Sequence, residues 1–556
     1  MSQPEVPQAL RSTAKMQMHI VQFAGVPTQA DRDAIVAAGG KVIGYLPVNA
    51  YVVRMTAGQA TAVGDHRSVR WIGGYQPAYR IEPELLKMQA WQNPQPVRYN
   101  LVVADKHSDK PALANQIQAI GGTVDNEQTG SLLFTVTLTG PQLLQAAGMD
   151  EVLWIDRWSA PEEDMDNARI QGGGNYVESQ GGYTGSGVNS HIYEGVEATH
   201  PDFTGTVTNV RSGGAAQTHG HATAGIVFGN GNSNPAVRGM APDAGKFYTN
   251  YSSVNTSRWQ VFSDLVNIHN VSHTTASWGD ARTFFYTSVS ADADDITFDH
   301  DLAWTQSQSN AGNQDSRPQA WAKNIFSIGG VNHANNSNAG DDSWQNGGAS
   351  IGPASDGRIK PTQPLRVPGG TTHQNRPHFP TLKGLQVVSA TQYSFNSGSS
   401  DNRREHQGWG FPDLETMYDN RAKMYIVDET DVIFPGQARQ HTITVANGEP
   451  SLKICLNWNE PAGNPAAASQ LINNLSLRVT APSGTQYWGN NGLNSGLWSS
   501  AGGSEDMINS IENVFVQNPQ SGQWIVEVIG SDRHGWRYLR DQVDHRLWLR
   551  RHLGHL

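Results

Sequence analysis

Four kinds of side chain in this sequence have the types needed for acyl transfer. They are a histidine in His219-Gly220-His221, a carboxylate in Tyr193-Glu194-Gly195, an amide in Asn310-Ala311-Gly312-Asn313 and a hydroxyl in Gly370-Thr371-Thr372. Peptide hydrolysis through a covalent intermediate needs a nucleophile, a base to take its proton, a carboxylate to hold the base and donors for the oxyanion. Metal chemistry has poorer material. His219 and His221 lie only two residues apart, and the segment Asn473-Asn474-Leu475-Ser476-Leu477 carries no acid. Calcium requires clustered hard oxygens. The sole cysteine, Cys455, excludes an internal disulfide and a cysteine-based zinc site.

The elements that must position these residues can be read from periodicity. Two N-terminal segments match at a spacing of about 82–83 residues, with Gly39/Gly121 and Trp71/Trp154 in register. The first offers strands at His19–Phe23, Ala50–Met55 and Val69–Ile72, with helices at Gln29–Ala38 and Thr56–Val63. The second offers strands at Tyr99–Val103, Ser131–Leu138 and Val152–Ile155, a helix ending at Ile120 and another at Thr139–Ala147. Each reads as a β-α-β-β-α-β, ferredoxin-like unit, at 17–85 and 95–158. Each Gly-Gly suits a helix C-terminus that needs positive φ. Residues 165–420 alternate strands, glycine turns and helices, as an α/β domain with a parallel sheet should. Residues 421–532 carry alternating runs such as Lys453–Leu456 and Leu475–Val479 between turns, and read as all-β.

Within 165–420 a set of motifs resembles the subtilisin-like serine peptidases. Gly185-Ser186-Gly187-Val188, Glu194-Gly195-Val196 and Thr199-His200-Pro201-Asp202-Phe203 resemble that family's first catalytic strand and the turn after it. His219-Gly220-His221-Ala222-Thr223-Ala224-Gly225 resembles its histidine helix, and Gly239-Met240-Ala241-Pro242 the turn that follows. Ser277-Trp278-Gly279 is similar to the substrate-binding edge strand and Asn310–Asn313 to the oxyanion segment. Gly352–Pro361 resembles the Gly-Pro-Thr-x-Asp-Gly-Arg-Ile-Lys-Pro motif. Gln407-Gly408-Trp409-Gly410 resembles the end of the catalytic domain in the branch that carries a C-terminal β-jelly-roll. The resemblance implies an α/β domain with a parallel sheet, a jelly-roll at 421–532 and a doubled propeptide at 17–158. It makes His219 the general base, Glu194 the carboxylate in place of the family's aspartate, Asn313 the oxyanion donor and Ser277, Trp278 and Gly279 the substrate-binding strand.

The family's Gly-Thr-Ser-x-Ala-Thr-Pro nucleophile helix has no counterpart. Lys360-Pro361 runs through Gly370-Thr371-Thr372 to Pro377–Leu382, which already resembles the segment beyond that helix. Thr372 stands where serine belongs, but no apolar helix follows to aim it, and an ordinary turn is the favoured reading. Loss of that helix predicts a void at the domain centre, and the α/β domain is expected to be incomplete. The sequence thus predicts a subtilisin-like endopeptidase homologue that has lost its nucleophile and is inactive. The alternative is an active serine-type endopeptidase with an unrecognised nucleophile.

Charge and hydropathy set the remaining bounds. With 39 Lys+Arg against 50 Asp+Glu the net charge is −11, which argues against nucleic-acid binding. No apolar run is long enough to span a membrane. The expected partner is a peptide or protein substrate, on a monomeric chain without cofactor; calcium is implied only by the family. The resemblance implies secretion, whereas the polar start at Met1–Met18 shows no signal peptide and suits the cytoplasm. The segment 533–556 is rich in Arg and His and alternates poorly for a half-buried strand. It is expected to pack loosely or lie outside the sheet, leaving the β-domain one strand short. The alternative is a basic tail that binds an acidic partner.

Overall fold

The computed structural model describes residues 6–158, 162–163, 169, 172–331, 342–344, 348–362, 377–393, 402–428 and 433–531. Thr372 and the 533–556 segment lie outside the described residues.

The first N-terminal unit runs β1 (Met18–Phe23), α1 (Gln29–Ala37), β2 (Lys41–Leu46), β3 (Ala50–Arg54), α2 (Ala57–Gly64) and β4 (Val69–Gly74). After a short helix α3 (Pro83–Lys87), the second repeats the order as β5 (Val97–Val103), α4 (Lys110–Ala119), β6 (Thr123–Asn126), β7 (Leu133–Leu138), α5 (Gly140–Ala147) and β8 (Val152–Arg157). Both sheets are antiparallel, with orders β2-β3-β1-β4 and β6-β7-β5-β8. The repeat extends to single hydrogen bonds. Gln59 accepts the Thr56 N–H at 2.7 Å and donates to Gly39 O at 3.1 Å; Gln142 accepts the Thr139 N–H at 2.8 Å and donates to Ile120 O at 3.1 Å. One glutamine thus caps the second helix and ties it to the end of the first. Gly39 and Gly121 sit at φ +85° and +79°, where a Cβ would be strained.

The helix-free faces of the two sheets have different neighbours. In the first unit Met18, Ile43, Val52 and Tyr75 pack on Ala104 and Leu153 of the second. The Arg54 guanidinium grips Asp109, and buried Arg80 donates to Tyr75 O at 2.9 Å and Met149 O at 2.6 Å. In the second unit the free face carries buried Asn100, Thr135 and Asp156. This polar face meets a helix of the next domain, α9 (Ser288–His300).

That domain begins with β9 (Glu162–Glu163), α6 (Gly174–Gly181) and β10 (Asn189–Ile192). It continues through β11 (Val207–Asn209), α7 (Thr218–Phe228), β12 (Gly245–Tyr248), α8 (Arg258–Asn267), β13 (Val271–Ala276) and β14 (Trp278–Gly279). Next come α9 (Ser288–His300), β15 (Ala303–Ser307), β16 (Phe326–Ile328), α10 (Phe379–Ser389), α11 (Arg404–Gln407) and α12 (Leu414–Asp419). Six strands form a parallel sheet in the order β11-β12-β10-β13-β15-β16. One core lies beneath α8 and α9, with Phe262, Ile296 and Trp304; another lies beneath α7, with Ile192, Phe203 and Phe228. A further apolar cluster joins α10 to the sheet. Phe379 and Leu382 of α10 pack on Ala303 and Phe326 of β15 and β16.

The C-terminal part is two facing antiparallel sheets. β17 (Ala438–Val445), β22 (Gly522–Gly530), β19 (Leu475–Thr480) and β20 (Gln486–Trp488) form one; β18 (Ser451–Asn457) and β21 (Ile511–Gln517) form the other. Val445, Leu477, Val514 and Trp524 fill the space between them. α10 packs across the outer face of β18, where Lys453 donates to Ala390 O at 2.8 Å and Asn457 to Pro380 O at 3.0 Å. Among the described residues no helix is long and apolar enough to cross a membrane.

The junction between the second unit and α9 is built from buried polar groups. Asp156 accepts the Ser288 N–H at 2.8 Å, the Ser288 hydroxyl at 2.6 Å and the Trp154 indole N–H at 3.0 Å. It thereby satisfies a donor in the first turn of α9 across the domain boundary. Lys106 bridges Asp295 at 2.7 Å and Asp299 at 2.8 Å. Burial raises the Asp156 carboxyl to about 7 despite these donors. A carboxyl raised on folding binds a proton in the folded state that the unfolded chain releases, so its contribution is complete below about pH 4 and is lost as pH rises through 7. The expected result is a stability that falls between pH 5 and 7 by about 1.4 kcal/mol per pH unit from this one group. Asp156→Asn, whose amide can keep all three hydrogen bonds, should remove that slope without lowering stability at pH 7. Urea unfolding of both proteins across this range checks it.

Candidate active site

Parallel strands put their carboxyl ends on one edge, and three loops leave the sheet there. Glu194 lies two residues beyond β10, Ser277 directly follows β13, and Asn310–Asn313 follows β15. In the sheet order β13 lies between β10 and β15, so these residues share one edge of the domain. This is the edge where open α/β sheets place ligands.

Glu194 is fully buried, and its carboxylate is met by three donors. Oε2 lies 2.5 Å from His219 Nδ1, while Oε1 accepts the Ser277 N–H at 3.2 Å and the Thr223 hydroxyl at 3.3 Å. A buried carboxylate is tolerable only when hydrogen-bonded in this way. His219 and Thr223 are four residues apart on α7, so both present one helix face to it. The Thr223 hydroxyl also lies 3.2 Å from His219 O. The carboxylate–imidazole contact fixes the ring and its tautomer, and leaves Nε2 as the nitrogen that would exchange a proton with a substrate or nucleophile.

Gly220 makes this approach possible. A Cβ there would stand 2.5 Å from Glu194 Cβ and 2.5 Å from Gly195 O. Gly195 is itself enclosed, with the Ala215 carbonyl 2.6 Å from where its Cβ would be. The spacing His219-Gly220 is therefore a steric requirement of bringing α7 against the end of β10.

The Ser277-Trp278-Gly279 strand is firmly held. The Trp278 indole N–H donates to Tyr193 O, Tyr251 stacks on the indole at 4.2 Å between centroids, and Gln306 Nε2 donates to Trp278 O at 2.5 Å. Below Gly279 lies a buried polar set. Gln319 donates to Asp280 Oδ2 at 2.6 Å, and Arg258 lies 3.7 Å from the same carboxylate and under the Trp278 ring at 5.6 Å. Burial works against the Arg258 charge, but Asp280, Tyr193 and Asp292 outweigh it and hold the guanidinium charged. β14 pairs antiparallel with β9, Trp278 opposite Glu163 and Gly279 opposite Glu162, so the chain lays one of its own extended segments along this strand.

Asn313 is exposed on its loop. Its Oδ1 accepts the Asp315 N–H at 2.8 Å and its carbonyl accepts the Ile351 N–H at 2.9 Å. The side-chain NH2 is thus the part left to donate. A depression of about 430 Å³ adjoins it, lined by Gln314, Trp344, Gly352 and Glu405 among others. The structure brings His219, Glu194 and Ser277 into direct contact and puts Asn313 on the same edge; Thr372 lies outside the described residues. Three features escaped the sequence reading: Thr223 as a partner of the carboxylate, the Arg258–Asp280–Gln319 set, and the β9 segment on β14. Only Thr223 carried a signal, its i+4 spacing from His219.

Among the described residues no group of three or more His, Cys, Asp or Glu side chains is placed to hold a cation. Asn473 and Asn474 are buried amides next to β19.

Comparison with known proteins adds a boundary and a set of likenesses. Residues 2–76 match the model of a domain of unknown function, DUF8729, which spans the first unit from β1 to β4. No curated protein matches the sequence. Among solved structures, the chain is similar to the prenylagaramide maturation protease PagA at 15% identity and a TM-score of 0.33, over 44% of this chain and 97% of that one. It is similar to the patellamide maturation protease PatA at 15% identity and a TM-score of 0.31, over 43% and 97%. The epidermin leader peptide processing serine protease EpiP of Staphylococcus aureus gives 12% identity and a TM-score of 0.32, over 47% and 73%. At TM-scores of this size the likenesses carry no part of the functional argument below.

Gly220→Ala should push α7 from β10, destabilising the chain by about 1–3 kcal/mol and separating His219 from Glu194. Urea unfolding reads the first effect. Loss of the low-field His219 Nδ1–H proton resonance reads the second.

Proposed function

We propose that the chain is a homologue of the subtilisin-like serine endopeptidases that has lost its nucleophile segment and does not hydrolyse peptide bonds. The observation that carries this reading is the Glu194–His219 pair, closed at 2.5 Å, in a chain that passes from Pro361 to α10 through only residues 362–378. A base held by a buried carboxylate is the costly part of a hydrolase. Among the described residues no helix lies between Pro361 and α10 to present a serine to it.

Other observations fit the same reading. The six-stranded parallel order agrees with a subtilisin-like domain lacking its last part. The strand orders of the two N-terminal units are those of ferredoxin-like propeptide folds, and the second unit sits on α9. The paired β9 and β14 resemble a propeptide end lying where substrate would lie. The two C-terminal sheets suit a jelly-roll. In this reading Ser277, Trp278 and Gly279 retain the ability to pair with an extended peptide, Asn313 is a residual oxyanion donor, and the protein is a monomer with no metal, nucleic-acid or membrane partner. The intact pair also favours a second reading, an active serine-type endopeptidase whose hydroxyl comes from elsewhere in the chain.

The two readings separate cleanly. The purified protein should show no peptide or protein hydrolysis that is lost in His219→Ala, and no fluorophosphonate adduct by mass spectrometry. His219-dependent hydrolysis, or a labelled hydroxyl, would establish the second reading. With no active site to remove it, the 17–158 region should also remain attached. Intact mass after long incubation reports this, and a cut near residue 160 in protease-free material would count against the proposal.

A further inference from the structure

The second unit also reaches the central domain through the turn Thr129-Gly130-Ser131, between β6 and β7. The turn lands on the start of α8. The Ser257 hydroxyl, at the N-cap of α8, donates to Thr129 O at 2.6 Å. The Trp259 indole covers Gly130, where a Cβ would stand 2.5 Å from the ring. The buried Ser131 hydroxyl donates to the buried Asp292 carboxylate of α9. Arg258 sits between Ser257 and Trp259, inside this set of contacts. Its guanidinium is 3.7 Å from Asp280, the residue after β14, and 3.8 Å from Asp292. Neither pair is closed to hydrogen-bonding distance, so one cation is shared between two carboxylates. The guanidinium carbon lies 5.6 Å from the ring centres of Trp278 and Trp304. Each carboxylate has further support, from different places. Asp280 is held within its own domain, where Gln319 donates to Oδ2 at 2.6 Å and accepts the Asp280 N–H at 3.3 Å. Asp292 is helped by the second unit, through Ser131 and the charges of Lys110 and Lys106.

We infer that Ser131 is a positioning residue for β14, acting through Asp292 and Arg258, and that the second unit thereby controls the stiffness of that strand. With the unit seated, Asp292 is satisfied by Ser131 and leaves the guanidinium with Asp280, under the strand. With the unit lifted, Asp292 loses the hydroxyl and both lysines and turns to Arg258, 3.8 Å away. A buried carboxylate without partners is costly, so Asp292 draws the guanidinium over. Asp280 and the Trp278 ring then lose their support. The inference rests on the reading of β14 as the peptide-pairing strand and adds its regulation. β8 ends at Arg157, and β9 begins at Glu162 and lies along β14. The seated unit therefore supplies both the paired segment and the support beneath its partner. A foreign peptide that displaces β9 meets a strand that softens as the unit leaves. Docking and strand stiffness are coupled, and by linkage the coupling runs in both directions.

The test is amide hydrogen exchange at Trp278, Gly279 and Asp280 in the full chain, with the β8, β10 and β22 amides as docking and folding controls. Ser131→Ala should speed exchange at these positions about tenfold, the scale of one hydrogen bond to a charged group, while the controls hold. Ser131→Thr, which keeps the hydroxyl, should leave exchange unchanged. In an Asp292→Asn background Ser131→Ala should have no effect, because a neutral amide does not draw the guanidinium; the comparison is a double-mutant cycle. No change on Ser131→Ala would overturn the inference. So would equal loosening in both backgrounds, which would make the hydroxyl an ordinary interface bond. If the controls loosen as well, the Arg258 Nε–H resonance of the folded protein decides. A shift on Ser131→Ala that is absent from the Asp292→Asn background supports the inference, and an unshifted resonance overturns it. None of these readouts needs catalysis, so His219-dependent hydrolysis would refute the function proposed above and leave this result standing.

Discussion

The contact on which the central domain turns is the burial of the Glu194 carboxylate at the end of β10. Three donors from two parts of the chain converge on it: the His219 ring and Thr223 hydroxyl of α7, and the backbone N–H of Ser277 beyond β13. An ionised carboxylate out of water is costly unless such partners are in place. Strand, helix and edge segment must therefore assemble together. Gly220 removes the one steric obstacle, since any side chain there would collide with Glu194 and Gly195. The carboxylate–imidazole geometry is thus also a structural clamp.

The same logic joins the domains. The contact between the second N-terminal unit and α9 is polar and buried, with Asp156 on Ser288, Ser131 on Asp292, and Lys106 on Asp295 and Asp299. α9 also reaches the C-terminal sheets. Asp294 and Lys323, both fully buried, pair at 3.0 Å, Lys323 donates to Pro461 O at 2.9 Å, and Asn324 Nδ2 donates to Glu460 O at 2.7 Å. Such contacts demand precise geometry and favour one arrangement over many. The first unit is more remote. Its helix-free face rests on the second unit, so the two repeats, alike in strand order, hold different places in the chain of contacts.

Much of the fold was legible in the sequence. The 82–83-residue repeat was visible as matched spacing, and its paired glycines are local signals set by backbone sterics within a few residues. The structure brings Glu194 and Ser277, from the loops after β10 and β13, against His219 in the first turn of α7. Strand alternation at Lys453–Leu456 and Leu475–Val479 marked β18 and β19. Packing at the far side of the parallel sheet was not legible. It depends on how α10 settles on β15 and β16, with Phe379 and Leu382 against Ala303 and Phe326, and a linear pattern does not encode that packing.

By itself the sequence determined the types of side chain available near one another in the motifs, the short span of 362–378 between Pro361 and α10 and the repeat at the start, because composition, spacing and short-range capping are properties of the chain. Only the tertiary structure decided that Thr223 and the Ser277 N–H share the Glu194 carboxylate, that Asp156 reaches the first turn of α9 and that β9 lies along β14. Those contacts join residues tens to hundreds of positions apart. They exist because buried polar groups and open strand edges must find partners in space, wherever the chain happens to supply them.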